Sequence, residues 1–273
     1  MGLIWSSVHK ADKDSLTADG FSFTGVSGIG HPGAARRGRD SVVIMKNQKH
    51  KVVIACRSLK PELEKTAVES SSEAELIFLD QELHRTPDKM PAEVQQAVDD
   101  VKDTADEIVL GYGLCSNGIV GVTAPPQGLI VPKVHDCITL FLGARNLYRQ
   151  AFKENPGTYY LTPGWIDEQK DPLGIMENDY TPRMGKEFAE WGIKEELKNY
   201  THIVFVSSTA AREQIENLRK RARDNACFLE KQFEEVEGQD AYFRKILYGP
   251  YNEEDFIFFK GGQKITQSPF LSL

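Results

Sequence analysis

The sequence predicts a doubly wound α/β protein, Rossmann-like, with a mostly parallel sheet and helices on both of its faces. From residue 51 onward, short apolar segments typical of strands alternate with segments of helical periodicity, and repeated strand–helix units of this kind form parallel sheets. The clearest helical period lies in residues 91–101, where apolar side chains recur at Val94, Ala97, Val98 and Val101. A chain of 273 residues can bury such a core without disulfides.

The first half of the chain supplies most of the predicted strands, at residues 51–55, 75–79, 107–112, 129–134 and 158–161. Helices are predicted between them. One begins near Pro61, because proline lacks an N–H that a first turn does not need. The others span residues 91–101 and about 138–153. We assign residues 45–166 to one α/β lobe.

The second half of the chain is predicted as a helical insertion followed by another α/β unit. Residues 167–200 are charged and are interpreted as helices. The elements predicted after them are a strand at 202–206, a helix at 212–221, a strand around 227–235, a helix at 239–248 and a strand at 255–260. Residues 167–273 would therefore pack on the first lobe, giving a protein of two α/β lobes.

Residues 1–44 differ from the rest of the chain, since they are rich in Gly, Ser, Asp and Arg and show weak periodicity. This composition predicts a flexible arm, or an upstream extension ahead of Met45. The segment GIGHPG at residues 28–33 has the spacing of a dinucleotide-binding loop. No convincing strand precedes it and no long helix follows it, so the context for nucleotide binding is missing.

Composition excludes several classes of function. A net charge of −7 and a hydrophobic fraction of 40% argue against nucleic-acid binding through a basic face. No run approaches 18 apolar residues, so no membrane partner is expected. Four cysteines without a hydrophobic leader fit a reducing compartment better than a disulfide framework. We expect a cytoplasmic protein.

Five thiol or imidazole side chains follow predicted strands: Cys56, His84, Cys115, His135 and Cys137. In a parallel α/β sheet the carboxyl ends of the strands share one edge, and ligands bind in the crevice outside it. Side chains far apart in sequence can therefore meet there. Thiolate and imidazole are the ligands that zinc and iron–sulfur clusters select. The sequence thus predicts a thiol-rich metal cleft, although a single free cysteine is more often a packing residue.

The predicted metal ligands are Cys56, Cys115 and Cys137, with His84 or His135 as the fourth. The chain has no Cys-x₂-Cys pair, the usual mark of a structural zinc. Ligands from separate strand ends are typical of catalytic sites, where three protein ligands leave one position open. Zinc is the first choice of cofactor and an iron–sulfur cluster is the second, since both accept thiolates.

A metal-free enzyme is the alternative chemical interpretation. Cys115 precedes a predicted helix start, where the helix dipole lowers the pKa of a thiol, and His135 would act as its base with Asp136 nearby. His135 and Asp136 are therefore the catalytic candidates. Adjacent residues normally point in different directions, which weakens this pair. Cys227 lies at the start of a predicted late strand and is assigned to packing.

Further residues are candidates for contact with a substrate or an anion. Arg57 would stabilise a thiolate or bind an anionic group, and Trp165 would roof the pocket. Gly113 and Asn117 belong to the glycine-rich loop around Cys115, which lets backbone approach a ligand closely. The last candidates form the run Ser207, Ser208 and Thr209. This run is either an anion site at a helix start or an ordinary N-cap.

Four stretches together carry a family resemblance: residues 111–118 (GYGLCSNG), 131–137 (VPKVHDC), 156–165 (PGTYYLTPGW) and 228–233 (FLEKQF). They resemble the uncharacterised domain-of-unknown-function family DUF1638, over roughly residues 50–265. The resemblance implies a protein of anaerobic bacteria and methanogenic archaea, often encoded beside corrinoid-dependent methyltransferases. It implies no established reaction.

Matched residue by residue, the resemblance covers Cys56, Cys115, His135, Asp136 and Cys137. Together with the cleft, it leads us to expect a metal-binding protein that acts on or binds a small molecule in anaerobic one-carbon, corrinoid methyl-transfer metabolism. The alternative is a non-enzymatic accessory protein that docks on a corrinoid protein or a methyltransferase. The sequence leaves open whether the protein is an enzyme.

Overall fold

The computed structural model describes residues 49–208, 210 and 212–271. The arm predicted at residues 1–44 and Thr209 of the predicted anion-binding run lie outside the described residues. Within the described part of the chain, no helix is long and apolar enough to cross a membrane.

The first sheet has five strands: β1 (Lys51–Cys56), β2 (Glu75–Leu79), β3 (Glu107–Gly111), β4 (Leu129–Pro132) and β8 (Phe256–Phe259). Their order is β2-β1-β3-β4-β8. The first four run parallel, and β8 closes the edge antiparallel to β4. The prediction of a mostly parallel α/β fold is confirmed.

A second sheet of three parallel strands contains β5 (Thr158–Leu161), β6 (His202–Ser207) and β7 (Gln232–Glu237), with β6 in the middle. Successive side chains of β6 point to opposite faces, as strand geometry requires. Val204 and Val206 pack into the core of the first sheet. Ile203 and Phe205 pack into a second core. Strand β6 therefore contributes to both cores.

Eleven α-helices occur in the described residues: α1 (Lys60–Glu69), α2 (Met90–Val101), α3 (Ile138–Leu142), α4 (Arg145–Glu154), α5 (Pro163–Asp167), α6 (Pro172–Ile175), α7 (Thr181–Met184), α8 (Lys186–Glu196), α9 (Ile215–Leu229), α10 (Ala241–Tyr248) and α11 (Ser268–Leu271). Two short 3₁₀ helices, Arg57–Leu59 and Gln81–His84, follow β1 and β2, and a π-helical turn spans Met176–Tyr180.

Two strands pair across the boundary that was expected to divide the lobes at residue 166. Strand β5 comes before that division but pairs with β6 of the second sheet, and β8 comes after it but joins the first sheet. Sequence periodicity identifies a strand without identifying its neighbour, which depends on long-range packing. The chain therefore crosses between the two sheets more than once.

Two local expectations are corrected. The helix expected at about 138–153 is two helices, because Gly143 ends α3 in the left-handed region at φ 78°. The strand expected around 227–235 starts later, since α9 continues to Leu229 and β7 begins at Gln232. A short apolar run such as 226–229 suits a helix as well as a strand. Cys227 is consequently an exposed helical residue and not a packed strand residue.

The order β2-β1-β3-β4 contains the switch point of this fold, between β1 and β3. From β1 the chain moves to one side of the sheet and then returns to the other side. Ligands of open α/β sheets bind at the carboxyl ends of the two strands that flank such a point. Cys56 is the last residue of β1, and the loop that contains Cys115 follows β3. The candidate site lies at this crevice.

Candidate metal centre and adjoining cavity

Three ligand-type side chains meet at the carboxyl edge of the first sheet. His84, Cys115 and Cys137 each offer one ligand atom, and these three atoms lie within 4.8 Å of one another. The Sγ atoms of Cys115 and Cys137 are 3.4 Å apart, and both cysteines are buried. Imidazole and thiolate are ligands that zinc accepts, so this group could hold a metal ion.

The loop after β3 places Cys115 through an unusual backbone. Cys115, Ser116 and Asn117 have φ values of 47°, 56° and 69°, so three successive non-glycine residues are left-handed. Each such residue costs about 1–2 kcal/mol. Backbone conformations of this kind persist where surrounding contacts hold them, often at functional sites.

The contacts that hold this turn come from the neighbouring loop after β4. The amide of Cys115 donates to the carbonyl of His135 at 2.9 Å, and that of Leu114 to Val134 at 3.0 Å. Gly113 lets the two loops touch, since a Cβ there would lie 2.7 Å from backbone atoms of Asp136. The close backbone approach expected of Gly113 is therefore an approach to protein.

Cys137 sits where the second loop enters α3. Its neighbour Asp136 accepts a hydrogen bond at Oδ1 from the amide of Ile138, 2.9 Å away. This bond satisfies one of the free N–H groups at the start of the helix. The Asp136 carboxyl thereby orients the turn from which the Cys137 thiol points toward Cys115.

His84 ends the 3₁₀ helix after β2, a helix capped by Asp80, which accepts from the amide of Glu82 at 2.9 Å. The Nδ1 atom of His84 lies 3.2 Å from the carbonyl oxygen of Gln81. A carbonyl only accepts, so Nδ1 carries a proton, and Nε2 is the nitrogen that would bind a metal after losing any proton of its own. Metal-binding histidines usually donate their second N–H in this way.

Cys56 is buried beside the group. Its Sγ is 3.9 Å from Nδ1 of His84 and 3.1 Å from the hydroxyl of Ser58. It is not a member of the group of three that lies within 4.8 Å. Cys56 therefore contacts the imidazole at Nδ1, whereas a metal would bind at the other ring nitrogen, Nε2.

Contacts within this group raise the pKa values of two of its members. The hydrogen bond between the Cys137 and Cys115 thiols, together with burial, raises the pKa of Cys137 well above its usual value. Burial alone would lower the pKa of His84, but its contacts with Cys137 and Cys56 raise it well above the usual value. At neutral pH the Cys137 thiol and the His84 imidazole therefore both keep their protons when no metal is bound. A bound metal would displace them, because a coordinating thiol is deprotonated.

A cavity of about 260 Å³ opens beside the group, with His84 and Cys137 in its wall. The remaining wall is mostly aromatic. Trp165 also lines this cavity and lies edge-on to His84, with ring centroids 5.9 Å apart. The hydroxyl of Tyr148 donates to Oδ2 of Asp136. The group of His84, Cys115 and Cys137 therefore borders a cavity large enough for a small ligand.

Several predicted site residues lie elsewhere. His135 is exposed and meets Cys115 through its backbone carbonyl. Asn117 is also exposed, on the left-handed turn. Arg57 points to Glu168, with 3.9 Å between Nη1 and Oε2. Both residues line a separate cleft of about 710 Å³. The structure thus brings His84 to the cysteines and leaves the imidazole of His135 outside.

The run at the end of β6 is also separate from the cysteines. Ser207 donates to the carbonyl of Val236 at 3.1 Å, and Ser208 accepts from the amide of Ala210 at 3.1 Å. Both serines line a cleft of about 420 Å³ together with Arg212 and Arg219. Helix α9 begins at Ile215 with Gln214 as its N-cap, so neither serine caps it.

Sequence reasoning missed most of the cavity wall. Tyr159 and Tyr160 lie within β5 of the second sheet, whereas the carboxyl-edge rule concerns residues that follow a strand. Tyr112, which follows β3 directly and lies outside that wall, has a buried hydroxyl without a hydrogen-bond partner among the described residues. Tyr148 and Tyr200 give no local signal, since helical and loop tyrosines are usually packing residues.

Comparison with known proteins gives one match. A family model described as a protein of unknown function, DUF1638, matches residues 78–247, a stretch that includes His84, Cys115 and Cys137. No curated protein and no solved structure matches the chain.

Proposed function

The chain belongs to the DUF1638 family, and we propose that it is a metal-dependent protein in which His84, Cys115 and Cys137 bind one zinc ion beside a small-molecule cavity. The observation that carries this proposal is the meeting of the three ligand atoms within 4.8 Å. They come from three separate loops at one sheet edge, a placement that core packing alone does not require.

The distances suit a single zinc ion. Two thiolates about 2.3 Å from one tetrahedral zinc lie roughly 3.8 Å apart, and the Sγ atoms of Cys115 and Cys137 are 3.4 Å apart. A separation change of a few tenths of an ångström is within the reach of side-chain rotation. An iron–sulfur cluster is the weaker candidate, because such clusters are held by four protein ligands, and this group offers two thiolates and one imidazole.

Three protein ligands leave one tetrahedral position for a ligand, the pattern of catalytic zinc sites. His84 and Cys137 belong to both the group and the cavity wall, so this position would face the cavity. Zinc bound by the three side chains would supply Lewis acidity, which would activate a water or a thiol at the open position. The chain's own groups would do the rest: Trp165 and the tyrosines exclude water, and Asp136 with Tyr148 forms a polar wall.

A metal-free thiol enzyme fits the site less well. The proposed base, His135, is exposed, so His84 would have to replace it. A nucleophilic thiol needs a lowered pKa, whereas contact with Cys115 and burial raise the pKa of Cys137. A non-enzymatic accessory protein, docking on a corrinoid protein or methyltransferase, would bind the metal without turning over a substrate.

Elemental analysis of anaerobically purified protein tests the proposal. We expect one equivalent of zinc per chain in the wild type. Cys115→Ser and Cys137→Ser should each lose most of it, because serine is nearly isosteric but supplies no thiolate. The matched control is Cys227→Ser, since Cys227 is exposed on α9. Full metal content in both variants, or none in the wild type, would contradict the proposal.

A further inference from the structure

The cavity beside the metal centre has an unusual wall. Its aromatic side chains come from α3, α4, β5, α5 and the segment before β6, and they are Phe141, Tyr148, Tyr159, Tyr160, Trp165 and Tyr200. All except Phe141 are half-buried, so part of each ring is left uncovered by other protein atoms. An ordinary apolar pocket is lined by aliphatic as well as aromatic groups. Here Ile138 is the one aliphatic residue in the described wall.

The charge of the wall favours a cation. The described lining contains neither lysine nor arginine and includes the carboxyl of Asp136. His84 is the remaining group able to carry a positive charge, and as a ligand of the proposed metal it would be neutral. This step rests on the proposed function. An anionic ligand would find no charged partner in this wall, whereas a cation would meet aromatic faces.

We propose that the cavity binds a small methylated ammonium cation. The faces of tyrosine and tryptophan carry negative potential and attract cations, and aromatic cages are the usual recognition device for quaternary ammonium groups. A methylated ammonium group offers no N–H or few, so it needs rings more than hydrogen-bond acceptors. The cavity, at about 260 Å³, suits a ligand of this size.

One polar group in the wall narrows the class further. The hydroxyl of Tyr160 is buried and has no hydrogen-bond partner among the described residues. Buried hydroxyls normally find a partner. A hydroxyl oxygen at the other end of the ligand would accept from it. The ligand class is therefore a methylated ammonium compound with an oxygen a few bonds from the nitrogen.

Isothermal titration calorimetry of the full-length protein with two matched probes tests the inference. Choline carries the trimethylammonium group, and 3,3-dimethylbutan-1-ol has the same shape and hydroxyl without the charge. We expect choline to bind at least about tenfold more tightly, since cation–π attraction acts on the charge alone. Equal binding of the two probes, or no heat with either at millimolar concentration, would overturn the inference.

Paired substitutions locate the binding. Tyr160→Leu removes the ring and should weaken choline binding about fivefold or more, whereas Tyr160→Phe keeps the ring and should retain most of it. Phe188→Leu is the control, because Phe188 is 65% exposed on α8 and away from the cavity wall. If Tyr160→Leu does not fold, Tyr200→Leu replaces it. Unchanged affinity in the folded leucine variant would contradict the assignment.

Failure of this inference is distinguishable from failure of the metal proposal. Zinc content is measured on the same samples that are titrated with the two probes. If the wild type contains zinc but does not prefer choline over 3,3-dimethylbutan-1-ol, only the cation site is contradicted. If the wild type prefers choline but contains no zinc, only the metal centre is contradicted.

Discussion

Cys115 and Cys137 lie 22 positions apart in the sequence, yet their Sγ atoms are 3.4 Å apart in the fold. The strands before them, β3 and β4, are parallel neighbours, so their carboxyl ends reach the same edge. The hydrogen bond from the amide of Cys115 to the carbonyl of His135 then joins the two loops. The thiol pair is thus set by backbone contacts and does not depend on the exposed side chains around it.

Zinc should raise the thermal stability of the protein through this pair. An ion that binds the folded chain stabilises it by about 2.7 kcal/mol at a hundredfold excess over Kd. We expect the Tm of chelator-treated wild-type protein to rise by several degrees when zinc is added. In Cys115→Ser the shift should be absent, while Cys227→Ser should behave as the wild type. Differential scanning fluorimetry measures all three.

The same pair should be oxidisable when no metal protects it. Diamide takes two electrons and two protons from a thiol pair and leaves a disulfide. We expect chelator-treated protein to lose two free thiols, with a Cys115–Cys137 peptide in the digest, because closing 3.4 Å to about 2.05 Å needs little movement. Protein loaded with zinc should resist. A Cys56 disulfide instead would show that the pairing is different.

Gly113→Ala should separate the two loops. The added methyl would lie 2.7 Å from the backbone of Asp136, and overpacking of this kind costs about 1–3 kcal/mol. We expect lower stability in urea unfolding and weaker zinc binding. The control is Gly192→Ala on α8, where the methyl would meet the ring of Tyr180 at an ordinary 3.7 Å. That change should be neutral or stabilising, since alanine favours helix.

Glu62 should make stability fall with rising pH. It is 5% exposed, and burial raises its pKa from 4.5 to about 8. Below pH 4.5 the carboxyl is protonated in both states. Between about 4.5 and 8 the unfolded chain loses the proton that the folded chain keeps, so the free energy of unfolding drops, by as much as about 5 kcal/mol. Above that range the decline stops.

The pH profile of Glu62→Gln checks this assignment. Urea unfolding from pH 5 to pH 8 should show a smaller decline in this variant than in the wild type. Glu64→Gln is the control, because Glu64 is exposed and pairs with Lys60 at 3.9 Å. An equal decline in wild type and Glu62→Gln would show that another group is responsible.

The sequence was informative where local rules determine geometry. The carboxyl-edge rule anticipated that Cys115 and Cys137 would be neighbours, because it needs only strand order and direction. The rule did not decide whether His84 or His135 lies beside the cysteines. That choice depends on a tight turn, in which Asp136 and Cys137 face the interior while His135 faces solvent.

The cavity wall was less accessible to sequence reasoning. Tyr159 and Tyr160 lie on a strand whose partner, β6, is more than forty positions away, and no local pattern identifies that pairing. The left-handed turn at Cys115 was likewise invisible, because non-glycine residues rarely adopt it. The glycine-rich composition of the loop predicted close approach, but the group approached is the backbone of Asp136.

The antiparallel strand β8 has a consequence for synthesis on the ribosome. His84, Cys115 and Cys137 have all been made long before Phe256–Phe259, the strand that covers the outer edge of β4. A nascent chain therefore carries the three side chains of the proposed metal centre while one edge of its sheet is still unpaired, and unpaired edges favour association with other chains. Early capture of an ion would tie the three loops together during that interval, before translation supplies the strand that shields the edge.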